Sequence, residues 1–449
     1  MQARIDPTRS ILLTDLYQLT MLAGYFERGL TEKAVFELFV RDLPKDRGFY
    51  VTAGLEQLLD FLEEARFAPE DLDWLAASGR FSRDFVDWLA DWSFAGDVHA
   101  LPEGTVCFPN EPLVRVTAPM PQAQLVESRL INILHLQTLI ASKAARCRLA
   151  APDKLLVDFG MRRAHGAEAG LLAARASYIA GFAGSATVLA DRLWGIPSFG
   201  TMAHSFIEAH DIEADAFEHF ALAQPKNVVL LVDTYDTEAG AGKVAALAPR
   251  LAERGISVKA VRLDSGDLDA HSRRVRAILD AAGQRSGGIV CSGGLDEHDL
   301  ERLCVGGAPI DGFGIGTKLD TSADAPYLDC AYKLQEYGGL ARRKRSEGKA
   351  SWPGCKQVYR ASGPDGSFAG DLVTLEPDPG EGDPLILPVM REGKRMAPAE
   401  DLATIRERLF VELERLPEGV KRLCDPAPYP VRISQALQDL AAEVDRRAH

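Results

Sequence analysis

The sequence is poor in the features that mark several large classes of protein. Its seven cysteines are scattered and form no Cys-x-x-Cys pair, which argues against a disulfide framework or a zinc knuckle. No apolar run approaches the roughly 18 residues of a membrane-spanning helix, and the opening stretch MQARIDPTRS has no apolar signal core. We therefore expect a cytoplasmic protein with reduced thiols and no membrane partner.

Positive charge is also in short supply. Lysine and arginine total 51 against 65 aspartates and glutamates, which gives a formal net charge of -14 at pH 7. This balance argues against a nucleic-acid partner, although a few arginines and backbone amides could still form a local anion site. The 449 residues, 46% of them hydrophobic, are enough for about two or three domains with buried cores.

The middle of the chain alternates short β-branched runs with helical patterns. Between residues 151 and 325 the seven runs are KLLVDFG, SATV, PSFG, NVVLLVD, SVKAVRLD, GIVCSGG and IDGFGIG. Alternation of this kind, with strands buried on both faces, predicts a parallel α/β sheet or barrel. Because a complete β/α barrel has eight strands, we predict an irregular or incomplete barrel with its active site past the strand C-termini.

The flanking segments have a different pattern. AQLVESRLINILHLQTLIASKAARCRLAA predicts one long apolar helix, VCFPNEPLVRVTAP predicts short strands, and AGLEQLLDFLEEARF predicts a helix with an apolar face of Leu55, Leu58, Leu59 and Leu62. After residue 325, APYLDCAYKLQEYGG and CKQVYRASG predict antiparallel strands around the basic loop ARRKRSEGK, which we interpret as a solvated hairpin tip. The C-terminal helix is predicted to have an apolar face of Ile433, Leu437, Leu440 and Val444.

Charged side chains cluster after two of the predicted strands. Arg162 follows VDFG together with a second arginine, and such a pair favours a phosphate or carboxylate ligand, with surface salt bridges as an equal alternative. Arg262, Asp264 and Ser265 end the strand SVKAVRLD. Carboxylates beside Gly and Ser suit ribose hydroxyls or a Mg²⁺ ion bound to phosphate.

Two glycine-rich turns follow the last two strands of the predicted barrel. CSGGLDE contains Gly293 and Gly294, and FGIGTKL contains Gly316 and Thr317. Backbone amides exposed in such turns can bind a phosphate, and late barrel strands are a frequent location for that site. No Walker A motif occurs, so ATP, if it is used, must bind at the same phosphate site.

A single histidine, His204, lies in the small-residue run GTMAHSF after the strand PSFG. Ser205 is its neighbour, and Asp233 ends the next strand. A carboxylate that holds one imidazole nitrogen leaves the other free as a base or nucleophile. A purely structural histidine is the alternative that this pattern alone leaves open.

Taken together, nine motifs in this order resemble nicotinate phosphoribosyltransferase between about residue 11 and residue 361: LLTDLYQLTM, FELFVRDLP, DFGMRRAHG, GTMAHSF, LVDTYDT, VRLDSGD, CSGGLDE, DGFGIGTKL and PGCKQVYR. The resemblance implies an irregular α/β barrel over residues 151–325 and a second α+β domain formed from segments 1–150 and 326–449. It also implies a homodimer with composite active sites.

The resemblance further implies an activity in NAD biosynthesis or salvage. Nicotinate and phosphoribosyl pyrophosphate give nicotinate mononucleotide and pyrophosphate, and ATP hydrolysis is coupled to the reaction through a transient phosphohistidine at His204, which places the enzyme in the ligase class. Mg²⁺ would accompany the phosphates, with no tightly bound organic cofactor and no dedicated protein metal site.

The same resemblance assigns roles to individual residues. Phe159 and, from the partner subunit, Tyr17 would sandwich the pyridine, while Arg162 and Arg262 would contact the substrate or its phosphates. Asp233 would orient His204, and Ser205 would lie beside the substrate. Asp264 and Ser265 would hold the ribose hydroxyls, and the 5′-phosphate would bind at Gly293, Gly294, Gly316 and Thr317.

Ala186 bears on which pyridine is used. Relatives that use nicotinamide have an aspartate in the short strand after DFG, whereas the corresponding stretch here, FAGSATV, has Ala186. An aspartate would repel the carboxylate of nicotinate, so the alanine favours nicotinate. The alternatives are a nicotinamide or other pyridine phosphoribosyltransferase, and a catalytically silent pyridine-nucleotide-binding homologue. His165 replaces an expected glutamine and receives no role.

Overall fold

The computed structural model describes residues 8–447, and most of the stretch MQARIDPTRS lies outside them. The chain forms two compact units. The terminal unit comprises Met1–Ser142 and Tyr327–His449, and the barrel unit comprises Lys143–Pro326. Our domain boundaries after residues 150 and 325 stay predictions. No helix within residues 8–447 has the length and apolar character of a membrane span.

The first segment of the chain mixes helices and short strands. Its elements are α1 (Leu16–Arg28), β1 (Lys33–Val40), β2 (Tyr50–Val51), α2 (Leu55–Glu64), α3 (Pro69–Ala77), α4 (Arg83–Leu89), β3 (Asp97–Ala100), β4 (Val106–Cys107), β5 (Pro112–Pro119), α5 (Met120–Leu125) and α6 (Glu127–Ala150).

The predicted amphipathic helix is α2, and all four of its predicted apolar residues are buried. The predicted long helix is α6, which has 24 residues. It is preceded by the short helix α5, and Val126 lies between the two with φ -75° and ψ -10°.

The middle segment alternates strands and helices as predicted. Its elements are β6 (Leu155–Asp158), α7 (Ala167–Ile179), β7 (Gly184–Ser185), α8 (Val188–Trp194), α9 (His204–Glu208), α10 (Glu213–Ala223), β8 (Val228–Leu231), α11 (Thr237–Ala252), β9 (Val258–Leu263), α12 (Leu268–Ala281), β10 (Gly288–Cys291), α13 (Glu297–Val305), β11 (Gly312–Ile315) and α14 (Thr317–Asp320).

Six of these strands form one parallel sheet in the order β7-β6-β11-β10-β9-β8. The prediction of an incomplete parallel barrel is therefore confirmed, with one correction. PSFG is not a seventh strand, because only Ser198 forms a bridge, to Ser185. Since the strands are parallel, their C-terminal ends lie along one edge of the sheet.

Aspartates begin the three helices that follow β8, β9 and β10. The side chains of Asp236, Asp267 and Asp296 accept hydrogen bonds from backbone N–H groups in the first turns of α11, α12 and α13. Such N-caps satisfy donors that a helix start otherwise leaves unpaired. These carboxylates are therefore used by the fold, although they lie close to the polar strand ends.

The last segment completes the terminal unit. Its elements are β12 (Cys330–Tyr337), β13 (Leu340–Ala341), β14 (Lys356–Ser362), β15 (Phe368–Leu375), β16 (Asp383–Pro384), β17 (Leu387–Arg391), β18 (Lys394–Arg395), α15 (Leu402–Arg415), α16 (Glu418–Lys421), β19 (Val431–Ile433) and α17 (Gln435–Arg447). A seven-stranded sheet runs β13-β12-β1-β5-β3-β17-β18, a four-stranded sheet runs β16-β14-β15-β19, and β2 pairs with β4.

Two predictions for this segment need correction. β12 and β14 do not pair around the basic loop, because they belong to different sheets. The loop itself is solvated over residues 344–349, as predicted, and at its start the Arg343 guanidinium lies over the Trp352 ring and within 3.6 Å of Asp445. Ile433 ends β19 rather than lying on the C-terminal helix. Alternating hydrophobicity identifies a strand but not its partner, which depends on contacts distant in sequence.

Helix α11 approaches β8 closely at one glycine. A Cβ atom on Gly240 would overlap the backbone carbonyl oxygen of Val232, just beyond the end of β8. Two residues further along the same helix, Gly242 faces open space. The absence of a side chain at 240 therefore sets how near the helix lies to the strand that leads to Asp233.

We predict opposite effects for alanine at these two positions. Gly240→Ala should lower the free energy of unfolding by about 1–3 kcal/mol, as overpacking in a close contact does. Gly242→Ala should raise it by up to about 1 kcal/mol, because alanine is the better helix former. Urea and thermal unfolding midpoints of the two variants check this, and similar midpoints for both would contradict the close approach.

Candidate active site

The C-terminal ends of β6, β9, β10 and β11 surround a pocket of about 190 Å³ in the barrel unit. Its lining combines an aromatic ring, three arginines, one carboxylate and two glycine-rich turns. The residues are Phe159, Arg162, Arg163, Arg262, Asp264, Ser292, Gly293, Gly294, Gly314, Gly316 and Thr317. The structure thus brings together eight of the residues that the sequence singled out for the site and three that it did not, Arg163, Ser292 and Gly314.

Arg262 links the neighbouring strand ends. Its Nε donates to Ser292 Oγ at 2.9 Å, and its Nη2 donates to Asp264 Oδ1 at 2.8 Å. Ser292 also donates a short hydrogen bond to Asp264. A longer bond of 3.4 Å reaches the Met202 carbonyl, just before His204. The guanidinium is therefore fixed in place, as a rigid binder of anions requires.

The charge state of Asp264 follows from this network. Partial burial raises the pKa of its carboxyl group, but the hydrogen bond from Ser292 and the ion pair with Arg262 outweigh burial, so the pKa lies below its ordinary value. The positive charge of His204, when protonated, acts in the same direction. Asp264 is ionised at neutral pH.

Phe159 lies between Arg262 and the backbone of β11. The guanidinium carbon of Arg262 is 5.5 Å from the centre of the ring. A Cβ atom on Gly314 would overlap the ring, so glycine is needed at that position. The ring is held on one side, and it lines the pocket with its neighbouring arginines. A flat, π-electron surface beside cations suits an aromatic anion.

The expected pairing of His204 with Asp233 is not what the structure has. His204 begins α9, and its Nδ1 lies 3.1 Å from the Thr234 hydroxyl oxygen. Asp233 Oδ2 instead accepts hydrogen bonds from the Asp264 N–H and the Ser265 hydroxyl. Asp233 therefore holds the turn at Asp264 and Ser265, and Thr234 is the side chain that contacts the imidazole.

Other predicted residues lie outside the pocket. Ala186 is exposed just past β7, and its N–H donates to the Asp158 carbonyl. Ser205 is exposed on α9 beside His204. Tyr17 belongs to the terminal unit, is 48% exposed and donates a hydrogen bond to Glu127. His165 is exposed.

The pocket also contains residues that the sequence-based choice of binding residues left out. Ser292 immediately precedes Gly293 and could have been chosen as a polar group at a strand end. Thr234, which contacts His204 and does not line the pocket, follows Asp233 and could have been chosen in the same way. Arg163 and Gly314 could have been chosen as the second members of the pairs Arg-Arg and Gly-x-Gly. The hydrogen bonds of Ser292 and Thr234 could not be read from the sequence, because their partners Arg262 and His204 lie about 30 residues away.

Comparison with known proteins finds one family along most of the chain. Models of the N-terminal domain, the family region and the C-terminal domain of nicotinate phosphoribosyltransferase match residues 12–135, 155–338 and 379–441. The nicotinate phosphoribosyltransferase pncB2 of Mycobacterium tuberculosis is 48% identical over 430 residues, which cover 95% of this chain and 92% of that protein. The chain belongs to the nicotinate phosphoribosyltransferase family.

Relatives and solved structures of this family extend beyond bacteria. The nicotinate phosphoribosyltransferase of Homo sapiens is 34% identical, over 96% of this chain and 95% of that protein. The crystal structure of human nicotinic acid phosphoribosyltransferase matches with a TM-score of 0.87 at 32% identity, over 96% of this chain and all of that one. A nicotinate-nucleotide pyrophosphorylase from Pyrococcus furiosus matches with a TM-score of 0.75 at 25% identity, over 92% and 98% of the two chains.

The network around Arg262 gives a prediction that needs no substrate. Arg262→Met should raise the pKa of Asp264, because burial persists after the guanidinium is lost. Carboxyl ¹³C NMR titration, with Asp264→Asn for assignment, measures the shift. Arg273→Met is the matched control, since Arg273 pairs with Asp269 in an exposed helical pair 2.9 Å long. An unmoved Asp264 pKa in Arg262→Met would contradict the network.

The same change should alter stability in a defined pH window. The pKa of Asp264 in the folded protein lies below its value in the unfolded chain, about 3.9. Ionised Asp264 therefore stabilises the folded protein above that pH, and this stabilisation is lost as the pH falls through the pKa of Asp264 in the folded protein. The gap in melting temperature between the parent and Arg262→Met should narrow below about pH 4.

Proposed function

We propose that this family member makes nicotinate mononucleotide and pyrophosphate from nicotinate and phosphoribosyl pyrophosphate, with ATP hydrolysis coupled to the reaction. The observation that carries this proposal is that one pocket contains both the Phe159 ring and two glycine-rich turns. The ring lies beside Arg262. One end of the pocket has the chemistry for a pyridine, and the other has the chemistry for phosphates. The product belongs to NAD biosynthesis.

Each group in the pocket has a role in this reaction. The 5′-phosphate would accept hydrogen bonds from backbone amides in the turns at Gly293–Gly294 and Gly316–Thr317. Asp264 and Ser265, both linked to Asp233, would hold the ribose hydroxyls. The nicotinate ring would stack on Phe159, and its carboxylate would be drawn by Arg162 or Arg163, both of which line the pocket.

Bond formation needs stabilisation of the leaving group more than a base. The pyridine nitrogen already has a lone pair with which to bond the ribose carbon, while the bond from that carbon to pyrophosphate breaks. Positive charge develops on the sugar and negative charge on the departing pyrophosphate. A fixed guanidinium such as Arg262 stabilises the departing anion without reorganisation.

We propose that Mg²⁺ enters with the substrate phosphates and adds positive charge next to the leaving pyrophosphate. Within residues 8–447, no three His, Cys, Asp or Glu side chains are arranged to hold a metal ion by themselves. Asp233 Oδ1 is buried and has no hydrogen-bond partner in that part of the chain. Together with Asp264, this free oxygen fits a cation that is already bound to phosphate.

His204 is proposed to accept a phosphoryl group from ATP. With Nδ1–H donating to Thr234, Nε2 carries the lone pair that attacks the γ-phosphorus, and the bond to the β-phosphate oxygen breaks to release ADP. Thr234 would fix the tautomer that this attack needs. The resulting negative charge would lie near Arg262, in the region where pyrophosphate departs.

An assay with and without ATP tests the function. Nicotinate with phosphoribosyl pyrophosphate should give nicotinate mononucleotide faster when ATP is present, and γ-labelled ATP should give an acid-labile, base-stable phosphoprotein. His204→Ala should abolish the label and the stimulation, whereas His298→Ala, at an exposed histidine on α13, should change neither. Unchanged ATP coupling in a folded His204→Ala protein would refute the phosphohistidine, and no nucleotide product from the parent would refute the enzyme.

Substrate choice is proposed to depend on charge at position 186. Ala186 lies at the same sheet edge as Phe159, because its N–H donates to the carbonyl of Asp158. The residue is exposed, so the alternative that it only packs in the barrel core does not hold. Nicotinate carries one more negative charge than nicotinamide, and a carboxylate at 186 would act on that difference.

Ala186→Asp should raise the nicotinamide-to-nicotinate ratio of kcat/KM, mainly by weakening nicotinate. Two charges about 4 Å apart interact by about 1 kcal/mol in water, and because position 186 is exposed the interaction should stay near this value. A penalty of about 1 kcal/mol corresponds to roughly a fivefold loss. Ala186→Asn, of equal size without the charge, is the control, and an unchanged ratio in well-folded Ala186→Asp would rule out this position.

We also propose a homodimer in which Tyr17 of one subunit covers the pyridine in its partner's site. Leu13, Leu16 and Tyr17 are all exposed at the start of α1, which leaves an apolar surface that a second copy could cover. An aromatic ring brought to Phe159 in this way would complete a sandwich around the pyridine.

A further inference from the structure

Two buried carboxyl groups meet behind the pocket. Asp158 ends β6 and has no exposed surface, and Asp320 ends α14 with 3% exposed. Asp158 Oδ1 accepts a hydrogen bond from the Gly160 N–H at 2.7 Å, and Oδ2 accepts one from the Ser185 hydroxyl at 2.6 Å. The Asp320 carboxyl group lies against Gly160, whose N–H donates to Asp158, so the two carboxyl groups are close neighbours and could share one hydrogen bond if one of them is protonated.

The proton in this contact belongs to Asp320. Asp158 already has two donors, whereas within residues 8–447 neither carboxyl oxygen of Asp320 receives a hydrogen bond from any other group. Two adjacent ionised carboxylates in a buried site repel strongly. If Asp320 is protonated it donates to Asp158, and both groups are then satisfied.

The pair joins the two parts of the pocket that must act together. Asp320 lies four residues after Gly316, on the single helical turn that follows the second glycine-rich turn. A side chain on Gly160 would overlap the Asp320 carboxyl group, so the turn that carries Phe159 lies directly against it. Ser185, whose hydroxyl donates to Asp158, immediately precedes Ala186.

We propose that Asp320 is a positioning residue: its proton, shared with Asp158, holds the phosphate-binding turn at 316–317 against the turn that presents Phe159. Asp320 acts through Asp158 and the backbone, and it touches neither substrate. This inference rests on the proposed binding of pyridine at Phe159 and phosphate at Gly316–Thr317. Breaking the link should loosen both turns and so weaken both substrates together.

The surroundings of Asp320 favour its protonated form. Burial first, and then the charge of Asp158 and the hydrogen bond with it, raise the pKa of Asp320 well above its ordinary value. Burial also raises the pKa of Asp158. Helix α7 packs against α14 and contains the ionisable residues Glu168, Arg175 and Tyr178, whereas the causes that shift the pKa of Asp320 are its burial and its neighbour Asp158.

The experiment compares Asp320→Asn, which keeps a donor of the same shape, with Asp320→Leu, which has similar volume and no donor. Asp320→Asn should keep both KM values within about twofold of the parent, whereas Asp320→Leu should raise the KM of nicotinate and of phosphoribosyl pyrophosphate by about tenfold each. If Asp320→Leu matches Asp320→Asn in both KM values, the positioning role is overturned. If the two KM values rise as much in Asp320→Asn as in Asp320→Leu, Asp320 is not the hydrogen-bond donor.

The pH dependence of thermal stability tests the shared proton without substrate. The pKa of Asp320 is raised in the folded state, so the folded parent holds a proton that the unfolded chain releases above about pH 4. The parent should therefore lose stability relative to Asp320→Asn as the pH rises from 5 toward the folded pKa of Asp320. A difference that does not change with pH overturns the shared proton. A parent that melts as expected but makes no product would instead refute the proposed function.

Discussion

One guanidinium group links most of the candidate site. Arg262 reaches from β9 to Ser292 past β10, to Asp264 past its own strand, and to the backbone just before His204. It also lies over the ring of Phe159, which follows β6. Because these residues come from different strands, their relative positions depend on a side chain with several donors in a fixed plane. A lysine could not satisfy these partners simultaneously.

The strand ends could be located from the sequence because their pattern is local. Each parallel strand is short and apolar, and it stops at a polar residue or glycine, as with Asp158, Asp233 and Asp264. Parallel strands must then bring those ends to one edge of a sheet, so residues about 100 positions apart could be grouped without any knowledge of strand order. This argument supplied Phe159, Arg262 and the glycine-rich turns, which the structure places in one pocket.

Partnerships between elements could not be predicted in the same way. The hairpin expected between β12 and β14 is absent, because β12 pairs with β1 from the other end of the chain. The assignment of Asp233 to His204 failed for a similar reason. His204 begins α9 and Asp233 follows β8, but whether a side chain reaches the imidazole depends on differences in spacing of about an ångström. The hydroxyl of Thr234 is the group within reach.

The acidic character of the chain and its affinity for anions are compatible because charge acts over short distances. The net charge of -14 is distributed over the surface, where salt screens it within about 10 Å. In the pocket, three arginines and the amides of two turns surround one carboxylate, Asp264, whose charge is already balanced by Arg262. A phosphate that enters therefore meets a local excess of donors. The buried carboxyls of Asp158 and Asp320 lie behind this region, and a shared proton there would remove a negative charge that would otherwise oppose the phosphate.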